Sequence, residues 1–258
     1  MLQNYNPFIS FWSFYKKEMA RVLKVWGQTI LGPMITTTLF LVVFIVSVGN
    51  QSTTHLGYTY AQFLVPGLVM MTIIQNSFSH SSSSLMIAKI NGNIVDLLMA
   101  PVNASFVVGG YVLSSITRGV GVGIIIILYT AFFVDLHIYN IWVAIYFAVM
   151  GSTLLALLGT IGGIVSVKFD QLANFTNLVI TPLSFLSGTF FSTKRLPEVV
   201  QPFIHYNPFF YMIDGFRYAF IGVTDFNVYI GGIVLFVLNI ILYIFTTILW
   251  AKGYRIKS

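Results

Sequence analysis

Long apolar runs alternate with shorter polar ones along this chain. The runs cover approximately residues 27–48, 61–85, 105–134, 141–165, 173–191 and 228–250. A helix of about 20 apolar residues matches the hydrocarbon thickness of a bilayer. The stretch Leu39-Phe40-Leu41-Val42-Val43-Phe44-Ile45-Val46 is apolar on every face, whereas a barrel strand would be shorter and would alternate. Backbone groups in lipid must find internal partners. The pattern therefore predicts an all-α membrane protein with six transmembrane helices. No linker, internal repeat or soluble domain interrupts it, so residues 1–258 read as a single transmembrane domain.

Three segments between the runs carry their own patterns. In residues 7–26, Phe8, Phe11, Trp12, Tyr15, Met19, Val22, Leu23 and Trp26 recur at helical spacing, with Lys16, Lys17, Arg21 and Lys24 on other faces. This predicts a basic amphipathic helix in the membrane interface, serving as a topology anchor, a mechanical element or both. In residues 86–104, Asn91-Gly92-Asn93 signals a turn and Ile94–Met99 a short helix that Pro101 stops. Its apolar residues suit a protein partner, or they pack back onto the chain's own helices. Residues 192–227 are rich in aromatic residues but broken by Pro197, Pro202 and Pro208. Their apolar pieces are too short to span, which predicts re-entrant helices dipping into the outer leaflet.

Composition narrows the class further. The chain is 57% hydrophobic and 8% charged, against about 25% charged in soluble proteins, which excludes a water-soluble domain. The formal charge of +6 is informative by its placement rather than as nucleic-acid affinity. Lys16, Lys17, Arg21, Lys24, Lys89, Lys168, Lys252, Arg255 and Lys257 fall in one set of loops and ends. The other set holds Lys194, Arg195 and Arg217 together with Asp135, Glu198, Asp214 and Asp225. Lys and Arg favour the cytoplasmic side, so both termini are expected in the cytoplasm. The chain has no cysteine, which excludes disulfides, thiolate metal sites and cysteine nucleophiles. Met1-Leu2-Gln3-Asn4 opens no signal-peptide pattern, so the first run is expected to act as its own insertion signal.

Candidate chemistry is sparse. No phosphate-binding loop occurs, and Gly119-Val-Gly121-Val-Gly123 lies inside an apolar helix, where it lets helices approach closely, as do Gly159, Gly162 and Gly163. His80 beside a serine run suggests a nucleophile and base, but neighbours on a helix point in different directions. The polar tail from Gln75 to Ser84 reads as a helix-packing seam in preference to a path. Arg118 is the only charged residue inside the six runs. It marks either a functional position or a side chain that snorkels to the headgroups.

The run Ser187-Gly188-Thr189-Phe190-Phe191, then Leu196-Pro197, Gln201, Asn207-Pro208, Tyr211 and Asp214-Gly215-Phe216-Arg217 resembles the signature of the type-2 ABC exporter permeases. The middle loop resembles the family too, with Lys89, Gly92, Leu97-Leu98 and Pro101 in order, although Lys89 stands where an arginine is common. The resemblance covers nearly the whole chain and is closest to the small bacterial six-span members, in which one membrane domain pairs with a separate ATPase. It implies a multi-pass subunit of the bacterial inner membrane. It further implies a homodimer bound to two ATPase subunits, with the 7–26 segment as a connecting helix. Lys89, Gly92, Asp96, Leu97, Leu98 and Pro101 would form the ATPase-coupling loop. Gly188, Pro197, Asn207, Pro208, Asp214 and Arg217 would form the outer re-entrant signature.

The expected function is that of a permease moving an amphipathic, lipid-linked, polysaccharide or drug-like cargo. No cofactor is expected on this chain; ATP and Mg would sit on the partner ATPase. The expected partners are that ATPase, a second copy and membrane lipid, with no nucleic acid. The alternative is a secondary transporter or channel using an ion gradient, which would need buried acids in the runs. Asp214 and Arg217, spaced i, i+3, are expected to pair on one helix face, either fixing the outer hairpin or closing a gate.

Overall fold

The computed structural model describes residues 7–48, 58–99, 102–193, 196–197 and 201–255; Pro101, of the coupling loop, lies outside them. Its helices are α1 (Pro7–Lys24), α2 (Trp26–Val48), α3 (Tyr60–Ile90), α4 (Ile94–Met99), α5 (Ala104–Thr130) and α6 (Ile141–Val165). There follow α7 (Phe169–Phe175), α8 (Thr181–Ser184), α9 (Gln201–His205), α10 (Pro208–Ile221) and α11 (Val228–Ala251). No strand occurs among the described residues. The all-α expectation holds, and five helices, α2, α3, α5, α6 and α11, are long and apolar enough to cross a membrane.

Local chemistry sets the helix starts. Thr59 and Gln62 form a reciprocal capping box at α3, and the amide oxygens of Asn103, Asn140, Asn207 and Asn227 accept from the first free N–H groups of α5, α6, α10 and α11. Gly222 closes α10 in the left-handed conformation. The bounds depart from the sequence pattern in two places. α3 continues past 85 to Ile90, and α5 stops at Thr130, after which residues 131–134 turn.

The run expected at 173–191 is not one regular helix. It comprises α7, a wide turn at Thr176–Ile180, α8, and a second wide turn at Phe185–Thr189. The hydroxyls of Thr176, Ser184 and Thr189 donate to the carbonyls of Leu172, Ile180 and Ser184, Pro182 lacks an N–H, and Gly188 sits at φ +77°. Together these features loosen the regular ladder.

α3 is the hub. It packs against α5, α6, α10 and α2. Glycines on its neighbours make this possible: a Cβ added at Gly119 would come within 2.1 Å of Ser77 Oγ, and one at Gly159 within 2.5 Å of the Phe78 carbonyl. Gly123, Gly151 and Gly163 are similarly crowded by α3 side chains, while Gly121 faces open space. The outer faces of α2 (Leu31, Ile35, Leu39, Val43) and α11 (Ile233, Val237, Ile241, Ile244) remain exposed and apolar, as lipid contact requires.

α1 lies against α5, with the Phe14 ring on Tyr111 at 4.9 Å. Its predicted apolar stripe is divided. Phe8, Trp12, Leu23 and Trp26 stay exposed, whereas Phe11, Tyr15, Met19 and Val22 are partly buried; Phe14 and Glu18, outside that stripe, face the bundle. α1, α4, the N-terminus of α5 and the C-termini of α3, α6 and α11 meet at one end of the bundle, here the basic end.

Candidate functional site

Between Ala61 and Met86, the residues of α3 that are not buried are Gln62, Thr72, Gln75, Asn76, Ser79 and Ser83. All are polar. A helix that met lipid along that stripe would be apolar there, so the stripe faces either a hydrated path or another protein. Gln75, Asn76 and Ser79 line one wall of a 240 Å³ groove, and Thr176, Ile180 and Thr181 line the opposite wall. The rest of the polar tail turns inward. Ser77, His80, Ser81 and Ser84 are buried, and Ser77 Oγ donates to the carbonyls of Ile73 and Ser115 at 2.9 and 3.2 Å. One polar segment thus forms a packing seam on one face and a groove wall on the other.

Toward the basic end, α1 and α5 converge on α3. Ser84 Oγ donates to Glu18 Oε2 at 2.5 Å. His80 Nε2 lies 3.2 Å from Ser114 Oγ and 3.6 Å from Glu18 Oε2. The Arg21 guanidinium donates to the His80 carbonyl and to Ser83 Oγ, both at 3.3 Å. Arg118 donates to Asn76 Oδ1 at 3.4 Å, and its buried Nε has no partner. His80, Ser114 and Glu18 do not make a nucleophilic triad. Serine and acid approach the same imidazole nitrogen, Nδ1 has no partner, and His80 and Ser114 are fully buried, whereas a triad has the acid on the second nitrogen and an accessible hydroxyl. The sequence reading missed Glu18; its signal was being the one acid among the cations of residues 7–26.

The coupling-loop residues separate into inward and outward sets. Lys89 belongs to the last turn of α3, and its Nζ donates to the carbonyls of Gly163, Ile164 and Ser166 at 3.3, 2.9 and 2.7 Å. A cation there satisfies the free carbonyls at the C-terminus of α6 and complements its dipole. Gly92 takes a left-handed φ of +76° in the turn to α4. On α4, Leu97 and Leu98 are half-buried against the bundle, while Val95, Asp96 and Met99 point outward. Leu97 and Leu98, expected in the coupling loop, pack in part onto the chain's own helices and stay partly exposed.

At the far end the signature residues do converge, with one correction. Asp214 and Arg217 share α10 but not a salt bridge. Asp214 accepts from the amides of Asp225 and Phe226, at 3.0 and 3.1 Å, and from the Thr224 hydroxyl. Arg217 donates to the carbonyls of Phe63, Gly188 and Thr189 at 3.2, 2.6 and 3.3 Å, and its guanidinium lies 3.8 Å from the Phe63 ring centre. Gly67 leaves the space for this: a Cβ there would come within 2.9 Å of the Thr189 carbonyl. Carbonyls freed by the irregular helix end outcompete the neighbouring carboxylate. Burial raises the Asp214 pKa from the usual carboxylate value, opposed by those hydrogen bonds and by the nearby guanidinium. Asn207 caps α10 and donates from Nδ2 to Leu183 O and Ser187 Oγ at 3.0 and 2.8 Å. Asp225, read from the sequence only as one of the outer charges, accepts from Ser192 and Thr193. Pro197 is exposed outside this network.

Residues 9–221 match the family described as ABC-2 type transporter. The chain is similar to the inner membrane transport permease YadH of Escherichia coli (strain K12), at 36% identity over 246 residues, 94% of this chain and 96% of that protein. The YadH permease of Shigella flexneri matches to the same extent. A shorter stretch is similar to nodulation protein J of Neorhizobium galegae, at 33% identity over 72 residues, 27% of this chain and 28% of that protein.

Proposed function

Because this chain belongs to the ABC-2 type transporter family, we propose that it is the permease subunit of an ATP-driven exporter whose cargo moves along the polar stripe of α3. It is a multi-pass membrane protein of the permease type. The stripe carries the reading. Between Ala61 and Met86 it is the face of a central helix that is not buried, and its partly or fully exposed positions Thr72, Gln75, Asn76, Ser79 and Ser83 are polar at the depth where lipid would demand apolar side chains.

In this reading Phe169–Thr189 crosses the bilayer as a broken fifth span. Six crossings then place both termini at the basic end, in the cytoplasm. α9 and α10 form the re-entrant outer piece, pinned to the end of that span by Arg217 and Asn207. A second copy of the chain covers the groove and completes the path as a homodimer. Val95, Asp96 and Met99 of α4 offer the ATPase its docking surface, one ATPase per permease. ATP and Mg are handled there, and this chain does no chemistry of its own. An ion-gradient transporter finds no support in the five long helices, which contain no Asp or Glu.

The test is purification of the chain in mild detergent from its own membrane. An ABC ATPase should come with it in equal amount. Val95→Asp with Met99→Asp should release that ATPase while the chain stays inserted. A chain that purifies alone and stimulates no ATPase overturns the proposal.

A further inference from the structure

Lys17, Arg21 and Lys24 follow one another at i, i+4 and i+7 on α1, which places them on one face of that helix. They line one wall of an open groove of 310 Å³, and the end of α3, with Ile87 and Ala88, and Asn93 of the following turn line the rest. Glu18, the one acid at the groove, is already engaged. Its carboxylate accepts from Ser84 Oγ at 2.5 Å and lies 3.6 Å from His80 Nε2, and the residue is buried. Lys17, Arg21 and Lys24 have no ion pair among the described residues. Three cations therefore share one opening without an anion of their own. Arg21 is held there by hydrogen bonds to the His80 carbonyl and to Ser83 Oγ, both at 3.3 Å. Its guanidinium carries five donors, so the remaining ones are positioned before a ligand arrives.

Depth decides which anion fits. α1 ends at Lys24, and the apolar span α2 begins two residues later, at Trp26. The groove thus lies where headgroups meet hydrocarbon. The side chains around it suit that level. Leu23, Val25 and Trp26 are exposed and apolar, and so is Ile87 on the groove wall itself. A water-soluble anion would leave these side chains unused, whereas an anion carried on acyl chains covers them. Guanidinium and ammonium donors match phosphate oxygens, and the Asn93 amide suits a headgroup hydroxyl. Val95, Asp96 and Met99 of α4 do not line the groove, so the surface offered above to the ATPase is separate from it. Basic pockets between helices on the cytoplasmic side of membrane proteins receive anionic headgroups. We propose that this groove binds an anionic phospholipid of the surrounding leaflet, with its phosphodiester among Lys17, Arg21 and Lys24 and its acyl chains against Ile87 and the start of α2. The lipid is a resident of the fold and not the cargo. It fastens α1 to the end of α3 from outside, as Glu18 does from inside. The site requires only that the basic end meet a headgroup layer, and it stands independently of what the complex exports.

The chain has no cysteine, and Ala20, exposed on the groove wall, can carry one. The full chain with Ala20→Cys is placed in nanodiscs of phosphatidylcholine, alone or with about 20 mol% phosphatidylglycerol, which should slow labelling by a water-soluble maleimide roughly tenfold. Glycerol phosphate added to the phosphatidylcholine discs should not slow it. Lys17→Gln with Lys24→Gln should remove the protection. Lys16→Gln with Lys252→Gln, which takes the same charge from outside the groove, should keep it. Equal loss in the two pairs reduces the effect to general attraction of a basic end for anionic lipid and overturns the site. Equal slowing at Ser13→Cys, an exposed position of α1 outside the groove, overturns it too, and so does equal protection by glycerol phosphate. Protection that appears only with bound ATPase, in phosphatidylcholine alone, makes the groove a protein contact and overturns the lipid assignment. Where the Lys17→Gln, Lys24→Gln chain melts below the parent, the phosphatidylglycerol retained by the unmodified chain after exchange into detergent decides in its place: about one molecule per chain, in preference to phosphatidylcholine, supports the site, and none overturns it.

Discussion

Arg217 and Arg118 are both guanidiniums held inside a helical membrane body, and they are treated in opposite ways. Arg217 is fully engaged, with three backbone carbonyls and the face of Phe63 around it. Arg118 has a single long contact and an idle Nε. The difference lies in what each faces. The Phe185–Thr189 turn frees carbonyls that lack helical partners, and Arg217 supplies them with donors; charge and broken helix stabilise each other. Arg118 faces intact helices whose carbonyls are already used, so its donors remain available. A charge consumed by the backbone is a staple, and Arg118 is not consumed in that way.

The comparison breaks first at Arg217. Arg217→Ala should strand the carbonyls of Gly188 and Thr189 and remove a donor from that of Phe63, lowering stability by about 3 kcal/mol, read as a large drop in melting temperature of the detergent-solubilised chain. Arg217→Lys should recover little, because one ammonium cannot reproduce the fork. The charge-swapped pair Asp214→Arg with Arg217→Asp should be no better than Arg217→Ala, since the two side chains serve separate networks. A swapped variant that melts like the wild type would restore the ion-pair reading.

A second, smaller effect is expected at Gly119. Gly119→Val must displace Ser77 from a 2.1 Å approach, costing about 1–3 kcal/mol of overpacking. Gly121→Val, at an open position of the same helix, should melt normally. Equal melting of the two would show that α5 is free to shift away from α3.

Lys89→Met should be milder, at about 1 kcal/mol, because solvent can partly replace its bonds to the end of α6. The matching functional readout is ATPase association, which should weaken through displacement of α4. Unchanged association would detach Lys89 from coupling.

The smallest stability effect belongs to Arg118. Arg118→Gln should change the melting temperature little, since it removes a costly charge along with one long hydrogen bond, while export by the assembled complex fails. A loss as large as that of Arg217→Ala would make Arg118 a staple too and erase the contrast.

The sequence alone determined the membrane class and the five long helices to within about five residues. Those properties depend on a local quantity, apolar length against bilayer thickness. Gly188, Asn207, Asp214 and Arg217, named by the family resemblance, lie in one region of the structure. The partners within that region were decided by the tertiary structure. Spacing i, i+3 brings two side chains to one helix face, but the carbonyls that captured Arg217 come from residues 63, 188 and 189, on two other segments. The same holds for the polar tail of α3. Helical period separates its faces, yet only the packing of α1, α5 and α6 made one face a seam around Ser77, His80 and Ser84 and left Asn76 and Ser79 on the groove. Leu97 and Leu98 turned inward and Glu18 became buried for the same physical reason. A residue's chemistry is carried in the chain, whereas its desolvation and its competing partners are fixed by elements distant in sequence.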